Sequence, residues 1–253
     1  MDVNRRLALV AGSIGLAAAL ALPAPALGQS EGPGFLFRQP TGSFTLRMGL
    51  AVPKATGDPF SDLTNELTLR RSSFHAFDVV GDLAFSVAPR LDIVLSAGWA
   101  GSRSPSEERR WLDANNLPIQ QTTTLQRVPI TVGFKYYFRP VGRAVGRFAW
   151  VPTSGLVPYV GAGGGLMFSR IHAWGNFVDF TDTIIRTNNY ESESWVGTAH
   201  ILAGVEMPLS ARFVAVAEAR YAYAKTPLGP DFYGFGNMDL SGFSLTLGVG
   251  VRF

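Results

Sequence analysis

The last thirteen residues of the chain, 241–253, alternate strictly between apolar and small or polar side chains. A period of two is typical of an extended strand with one apolar face. Because the chain ends on this strand, one of its edges would stay exposed unless it paired with another strand. We therefore expect it to close a sheet onto the first strand. Its apolar face consists of Phe243, Leu245, Leu247, Val249, Val251 and Phe253.

Seven earlier segments show the same alternation and are predicted to be strands. Folding the chain about the short turn at 88–90 sets Ser86 opposite Asp92 and Asp82 opposite Ser96. The polar side chains of both strands then share one face, which supports this register. The eight predicted strands cover residues 43–52, 74–87, 91–101, 124–139, 157–170, 195–207, 212–224 and 241–253.

The connections between these strands alternate in length. Those at 53–73, 102–123, 171–194 and 225–240 are long and polar, whereas 88–90 and 208–211 are short turns. Long connections at one end and short ones at the other are typical of membrane-spanning β-barrels. The connection at 140–156 is longer than this pattern requires, so it either folds back under the barrel or contains a further pair of strands.

The two faces of the predicted sheet differ in charge. The apolar face carries almost no charge, and aromatic residues gather near the strand ends, which favours lipid outside. Glycine, alanine and serine on the other face leave room for long charged side chains in an eight-stranded lumen. Within this register His200 is expected opposite Glu218. The predicted lumen contains Arg47, Lys135, Arg139, Arg212, Arg220 and Arg252 against Asp78, Asp82, Asp92, Glu206 and Glu218.

The N-terminal region has the composition of an export signal. Residues 1–28 combine Arg5 and Arg6 with an apolar stretch and a small-residue cleavage site at 26–28, so we predict a cleaved signal peptide. Residues 29–41 are predicted to be a periplasmic lead-in, and 42–253 the barrel. The chain has no cysteine, and its charge is near balance, which argues against a nucleic-acid partner.

Three segments resemble strands of the outer membrane protein β-barrel domain family, the small OmpA/OmpX-like bacterial barrels. They are P-Y-V-G-A-G-G-G-L at 158–166, A-E-A-R-Y-A-Y at 217–223 and G-V-G-V-R-F at 248–253. The resemblance implies an all-β fold, an eight-stranded antiparallel up-and-down transmembrane β-barrel in the bacterial outer membrane. It also implies contact with lipid and lipopolysaccharide, and assembly through machinery that recognises the closing strand ending at Phe253.

The favoured function is a non-enzymatic barrel with a salt-bridged, filled lumen and long extracellular loops that contact surface molecules or lipopolysaccharide. The alternative is a narrow channel or carrier for small apolar molecules, as in OmpW-like relatives. Barrel lipases and deacylases carry a His with a Ser two residues later, a spacing that His75, His172 and His200 do not show. No cofactor is predicted, and calcium binding by the loop residues Asp179, Asp182, Glu191 and Glu193 is less expected than simple solvation.

Overall fold

The protein forms a closed ring of eight antiparallel strands. The computed structural model describes residues 34–113, 116–179, 184–228 and 236–253, so the expected signal peptide at 1–28 lies outside them. Within these residues no helix is long and apolar enough to cross a bilayer. The barrel strands are β1 (Gly42–Pro53), β2 (Ala76–Ala88), β3 (Leu91–Leu112), β4 (Pro118–Tyr137), β7 (Val157–Asp179), β8 (Ile184–Pro208), β9 (Phe213–Thr226) and β11 (Gly242–Arg252).

The ring closes as the sequence predicts. Strands pair in the order β1-β2-β3-β4-β7-β8-β9-β11, and β11 pairs with β1 from Ser43 opposite Arg252 to Pro53 opposite Gly242. Every barrel strand is therefore paired with a neighbour on each side. This confirms the predicted eight-stranded antiparallel barrel. We call the end with Gly42, Phe253 and the short turns the turn end, and the other the loop end.

The predicted register is correct for one of the two short hairpins and wrong for the other. Ser86 lies opposite Asp92 and Asp82 opposite Ser96, as predicted. The expected His200–Glu218 pairing is wrong, because Glu218 lies opposite Gly204 and His200 opposite Ala222. The backbone N–H groups of Leu209 and Ser210 both donate to the carbonyl of Phe213, so this turn centres on Ala211 rather than on Leu209. That shift moves the pairing by four residues.

Four strands are longer than predicted. The segments 102–123 and 171–194, expected to be loops, mostly continue β3, β4, β7 and β8, which contain 22, 20, 23 and 25 residues. By contrast, β1, β2, β9 and β11 contain 11 to 14 residues. The four long strands are consecutive in the ring, so together they project beyond the loop end as one sheet.

The remaining elements close the two ends. Of the two alternatives for the 140–156 connection, the structure contains the further strand pair, a separate hairpin of β5 (Gly142–Val145) and β6 (Ala149–Pro152) at the turn end. Trp150 of this hairpin bonds to Leu36. At the loop end lie the helix α1 (Asp58–Glu66), a short 3-10 turn (Arg71–Phe74) and β10 (Met238–Asp239). Phe74, expected to begin a strand, belongs to this 3-10 turn.

Candidate functional site

The outward face of the barrel is apolar and exposed. On β11, Leu245, Leu247 and Val249 expose 63%, 64% and 52% of their surface, whereas Glu218 on the neighbouring β9 exposes 1%. The same arrangement continues around the ring with Leu46, Phe77, Leu95 and Val132. In water such a surface would be unfavourable, since soluble proteins rarely expose continuous apolar areas of this extent. The predicted assignment of faces is therefore correct.

A cluster of charged side chains fills the middle of the lumen. Arg47 contacts Asp82 at 2.7 Å and Glu218 at 2.9 Å, and Lys135 contacts the same two carboxylates at 3.1 and 3.3 Å. Arg220 adds a third cation, 3.0 Å from Glu218. Each carboxylate thus bridges at least two cations. We call Arg47, Asp82, Lys135, Glu218 and Arg220 the central ionic cluster.

Hydroxyl groups complete the coordination of these carboxylates. Ser96 donates to Asp82 at 2.7 Å, and Tyr159 donates to Glu218 at 2.9 Å. The Arg47 guanidinium also donates to Thr246 at 2.7 Å. Buried ions are tolerated when they are both paired and hydrogen-bonded. The two carboxylates of the central ionic cluster meet both conditions.

A second cluster of polar side chains lies in the lumen at the turn end. Arg252 contacts Glu206 at 3.2 Å, and the Tyr137 hydroxyl lies 3.0 Å from Glu206 and 3.1 Å from Asp92. Ser86 donates to Asp92 at 2.8 Å, as its cross-strand position predicts. The Arg252 guanidinium lies over the ring of Trp150, 5.6 Å from its centre. The β5–β6 hairpin therefore covers the lumen at the turn end.

The predicted set of lumen charges needs three corrections. Arg139 is exposed beyond the end of β4 and donates to the carbonyls of Ser154 and Leu156. Arg212 lies in the turn before β9 and is half-buried. Arg127 was missed, although it is buried on the lumen face of β4. Among the described residues the lumen then holds five cations (Arg47, Arg127, Lys135, Arg220, Arg252) and five carboxylates (Asp78, Asp82, Asp92, Glu206, Glu218).

Glycines on the lumen face make room for large side chains, as expected. A Cβ atom built on Gly204 would lie 2.5 Å from the Tyr159 hydroxyl and 2.6 Å from the carbonyl oxygen of Ala217. One built on Gly248 would lie 2.6 Å from Cγ of Arg47. Both distances are far below van der Waals contact. These two glycines therefore allow the side chains that complete the central ionic cluster to cross the lumen.

Replacing Gly204 by Ala is expected to lower the free energy of unfolding by about 1–3 kcal/mol, because Tyr159 must move away from Glu218. Gly197→Ala is the matched control on the same strand, since a Cβ atom there meets nothing within 4 Å. Denaturant unfolding of both variants in lipid vesicles measures the difference. Equal stabilities would show that the glycines do not serve packing.

The loop end of the lumen is apolar instead of ionic. Leu125, Met167, Ile171, Val196 and Ala224 face inward from β4, β7, β8 and β9 and form one buried cluster. Two connections fill the space between them. The first, expected to be polar, contributes Ala55, Phe60, Leu67, Leu69 and Phe74 with the partly buried Leu63, and the last contributes Met238 and Leu240. We call the five inward-facing strand residues the wall of the apolar chamber, and the 55–74 segment its plug.

The plug is attached to its surroundings at both ends. The Thr56 carbonyl accepts a hydrogen bond from Asp239 N–H at 3.1 Å. Thr68 N–H donates to the backbone carbonyl of Glu107, on β3, at 2.8 Å. Partial burial by itself raises the pKa of the Asp239 carboxyl, but hydrogen bonds from Ser241 and the charges of Lys54 and Lys225 outweigh it and lower the pKa. Asp239 therefore remains charged next to Thr56 at neutral pH.

Near the loop end the outward face changes from apolar to polar between one row of residues and the next. Val128, Phe168 and Trp195 lie opposite one another on β4, β7 and β8, and the Phe168 and Trp195 rings are 5.4 Å apart. One outward position further on, Gln126, Arg170 and Glu193 lie opposite one another. The next such row contains Arg103, Thr124, His172 and Glu191. We call these two rows the polar collar.

The acidic loop residues considered for calcium binding do not all lie in the described part of the chain. Asp182 and the side chain of Asp179 fall outside it, while Glu191 and Glu193 both contact Arg170, the latter at 3.4 Å. Among the described residues no group of three or more His, Asp or Glu side chains is arranged to hold a metal ion.

No family model and no curated protein matches the chain. Solved structures similar to it include Neisserial surface protein A (14% identity, 88% of this chain, 100% of that chain, TM-score 0.45). OprG from Pseudomonas aeruginosa is similar at 13% identity over 86% and 99% of the chains, with a TM-score of 0.44. Ail of Yersinia pestis is similar at 14% identity over 84% and 99%, with a TM-score of 0.41.

Proposed function

We propose that this protein is a non-enzymatic bacterial outer-membrane barrel with a closed lumen, whose loop end contacts lipopolysaccharide and other molecules at the cell surface. The observation that carries the proposal is the inversion of its two faces, with exposed apolar side chains outside and paired charges inside. Only a closed sheet or a helix can cross a bilayer with all its backbone groups bonded. The ring of eight strands meets that requirement.

The length of the apolar band agrees with a bilayer. The six outward residues of β11, from Phe243 to Phe253, span about 25 Å at a tilt of about 40°. This matches the apolar band of membrane barrels. Phe253 follows the end of β11 and remains partly exposed, so this residue is accessible to the assembly machinery that we propose as its partner.

The polar collar supports contact with lipopolysaccharide. It begins one outward position beyond Phe168 and Trp195, where the apolar band ends and the headgroups of the outer leaflet begin. Arg103 and Arg170 lie in this collar, and guanidinium groups bind phosphate through paired, charge-assisted hydrogen bonds. Lipid phosphates at this depth are therefore suitable ligands for Arg103, and for Arg170 when a phosphate replaces its carboxylate partners Glu191 and Glu193. Residues beyond the collar would extend into the sugar layer.

The double variant Arg103→Gln, Arg170→Gln is expected to bind purified rough lipopolysaccharide about tenfold more weakly than the native protein, because two charge-assisted contacts are lost. The matched control is Arg143→Gln, Arg147→Gln, which changes two exposed arginines near the turn end. Titration calorimetry in phospholipid nanodiscs measures both. Equal losses in the two variants would contradict recognition at the collar, and steady conductance in a planar bilayer would contradict the closed lumen.

A further inference from the structure

The apolar chamber contains a cation that the barrel does not pair. Arg127 exposes 9% of its surface, makes no ion pair within 4 Å among the described residues, and leaves one of its terminal nitrogens without a hydrogen-bond acceptor. Its other terminal nitrogen lies 3.5 Å from the carbonyl of Leu240, a member of the apolar cluster. Buried guanidinium groups are almost always paired or hydrogen-bonded throughout. Arg47 and Arg252 also have one nitrogen without an acceptor, but each of the other four lumen cations lies within 4 Å of a carboxylate, and Arg127 does not.

The register places Arg127 within the chamber wall. It follows Leu125 on the inward face of β4 and lies opposite Ser169 of β7, with Met167 and Ile171 on either side of that serine. The nearest carboxylate acting on it is Asp78, on the other side of Ala100 in the cross-strand row. An unpaired cationic group thus projects among apolar side chains, an arrangement that suits a ligand with an anionic head and an apolar tail.

The helical middle of the plug, between its hydrogen-bonded ends, has little backbone stabilisation of its own. The helix α1 has only nine residues and no side-chain cap at its N-terminus, and isolated helices of this length are marginal in water. Phe60 and Leu63 attach the helix to the apolar cluster by packing alone, whereas Leu67 at its end is also bridged to Glu108. The central ionic cluster lies further toward the turn end and does not include any residue of the plug.

We propose that the chamber is a binding site for a single-chain amphiphile with an anionic head, of the class of medium-chain carboxylates, and that the plug occupies this site when no ligand is bound. The carboxylate pairs with Arg127, and the alkyl chain replaces plug side chains against Leu125, Ile171 and Val196. Phe60 and Leu63 together fill the volume of an alkyl chain of about ten carbons. This inference goes beyond the proposed function, because surface contact requires neither plug exchange nor Arg127.

The first test compares decanoate with uncharged decanol, each titrated calorimetrically into the full protein in nanodiscs against empty nanodiscs. Arg127→Met is expected to weaken decanoate binding at least about tenfold, since it removes the charged guanidinium but keeps an unbranched apolar side chain, and to leave decanol binding within about twofold. Arg143→Met, an exposed site near the turn end, is the matched control. Decanoate binding that is absent, or equal in all three proteins, would overturn the proposal.

The second test needs no substitution in the lumen. Thr56 and Asp239 face each other across an isolated antiparallel bridge, and the chain has no cysteine of its own. Thr56→Cys with Asp239→Cys allows a single disulfide that fixes the plug. Oxidation is expected to abolish decanoate binding and reduction to restore it. Unchanged binding in the oxidised form would show that the ligand sits elsewhere and would overturn the proposal, even if Arg127→Met failed to fold.

Discussion

Replacing Glu218 by Gln is expected to lower the free energy of unfolding by about 3–5 kcal/mol, one of the largest effects of any single substitution in this protein. Glu218 is the common partner of Arg47, Lys135 and Arg220, and it exposes 1% of its surface. Its neutralisation leaves three buried cations with Asp82 as their remaining close carboxylate. Denaturant unfolding in lipid vesicles measures the loss, with the exposed Glu193→Gln as a control expected to change it by less than about 0.5 kcal/mol.

A second substitution distinguishes charge imbalance from loss of packing. Lys135→Met in the Glu218→Gln background removes one unpaired cation, so the double variant should be more stable than the sum of the two single effects by about 1–3 kcal/mol. If the two effects were simply additive, the contacts of Glu218 with Lys135 would not be energetically coupled. The central ionic cluster would then be a set of independent contacts.

Replacing Leu247 by Arg is the substitution on the outward face with the largest expected cost. Leu247 lies in the middle of the apolar face of β11 and exposes 64% of its surface. An arginine at the midplane of a bilayer costs about 2–4 kcal/mol, and the cost falls to about 0–1 kcal/mol near the interface. Thr124→Arg in the polar collar is the control for the interfacial position. Reversible unfolding from lipid vesicles should show this difference, and equal costs at both sites would contradict the proposed depth.

The part of the fold inside the apolar band could be predicted because lipid imposes a strict period of two there. Each outward position must be apolar, so Leu245, Thr246 and Leu247 reveal their faces from sequence alone. Beyond the band water meets both faces, and the pattern disappears. Thr122, Thr123 and Thr124 are compatible with a strand by their β-branching, but they carry no sign of which face is inside. This is why four strand extensions were predicted to be loops.

The sequence did contain a pattern that predicts the helix of the plug. Phe60, Leu63 and Leu67 follow the spacing of one helix face, yet the segment around them is polar enough to suggest a solvated loop. That spacing does not show that the helix fills the loop end of the lumen. The residues around it there, Met167, Ile171 and Val196, come from strands that are distant in the sequence.

The lumen charges were predictable in sign but not in partner. Arg127, Thr131 and Lys135 share one face of β4, so the missed Arg127 follows from the same alternation that identified Lys135. Arg139 shares that face as well, but β4 ends at Tyr137, and its side chain bonds outside the lumen. The pairing of Glu218 depended on a turn whose centre differs by two residues from the predicted one. A difference of that size is decided by backbone hydrogen bonds at Phe213 rather than by side-chain pattern.

The most direct test of the two faces is a spin-label scan of β11, which the absence of cysteine makes possible without background substitutions. Single cysteines at positions 244 to 247 and 249 are labelled in lipid vesicles, and the accessibility of each label to oxygen dissolved in the bilayer is measured by electron paramagnetic resonance. Labels at Leu245, Leu247 and Val249 should be strongly accessible, and those at Ser244 and Thr246 weakly. The reverse order, or the same accessibility at all five positions, would contradict a barrel with its apolar side chains in lipid and its charges inside.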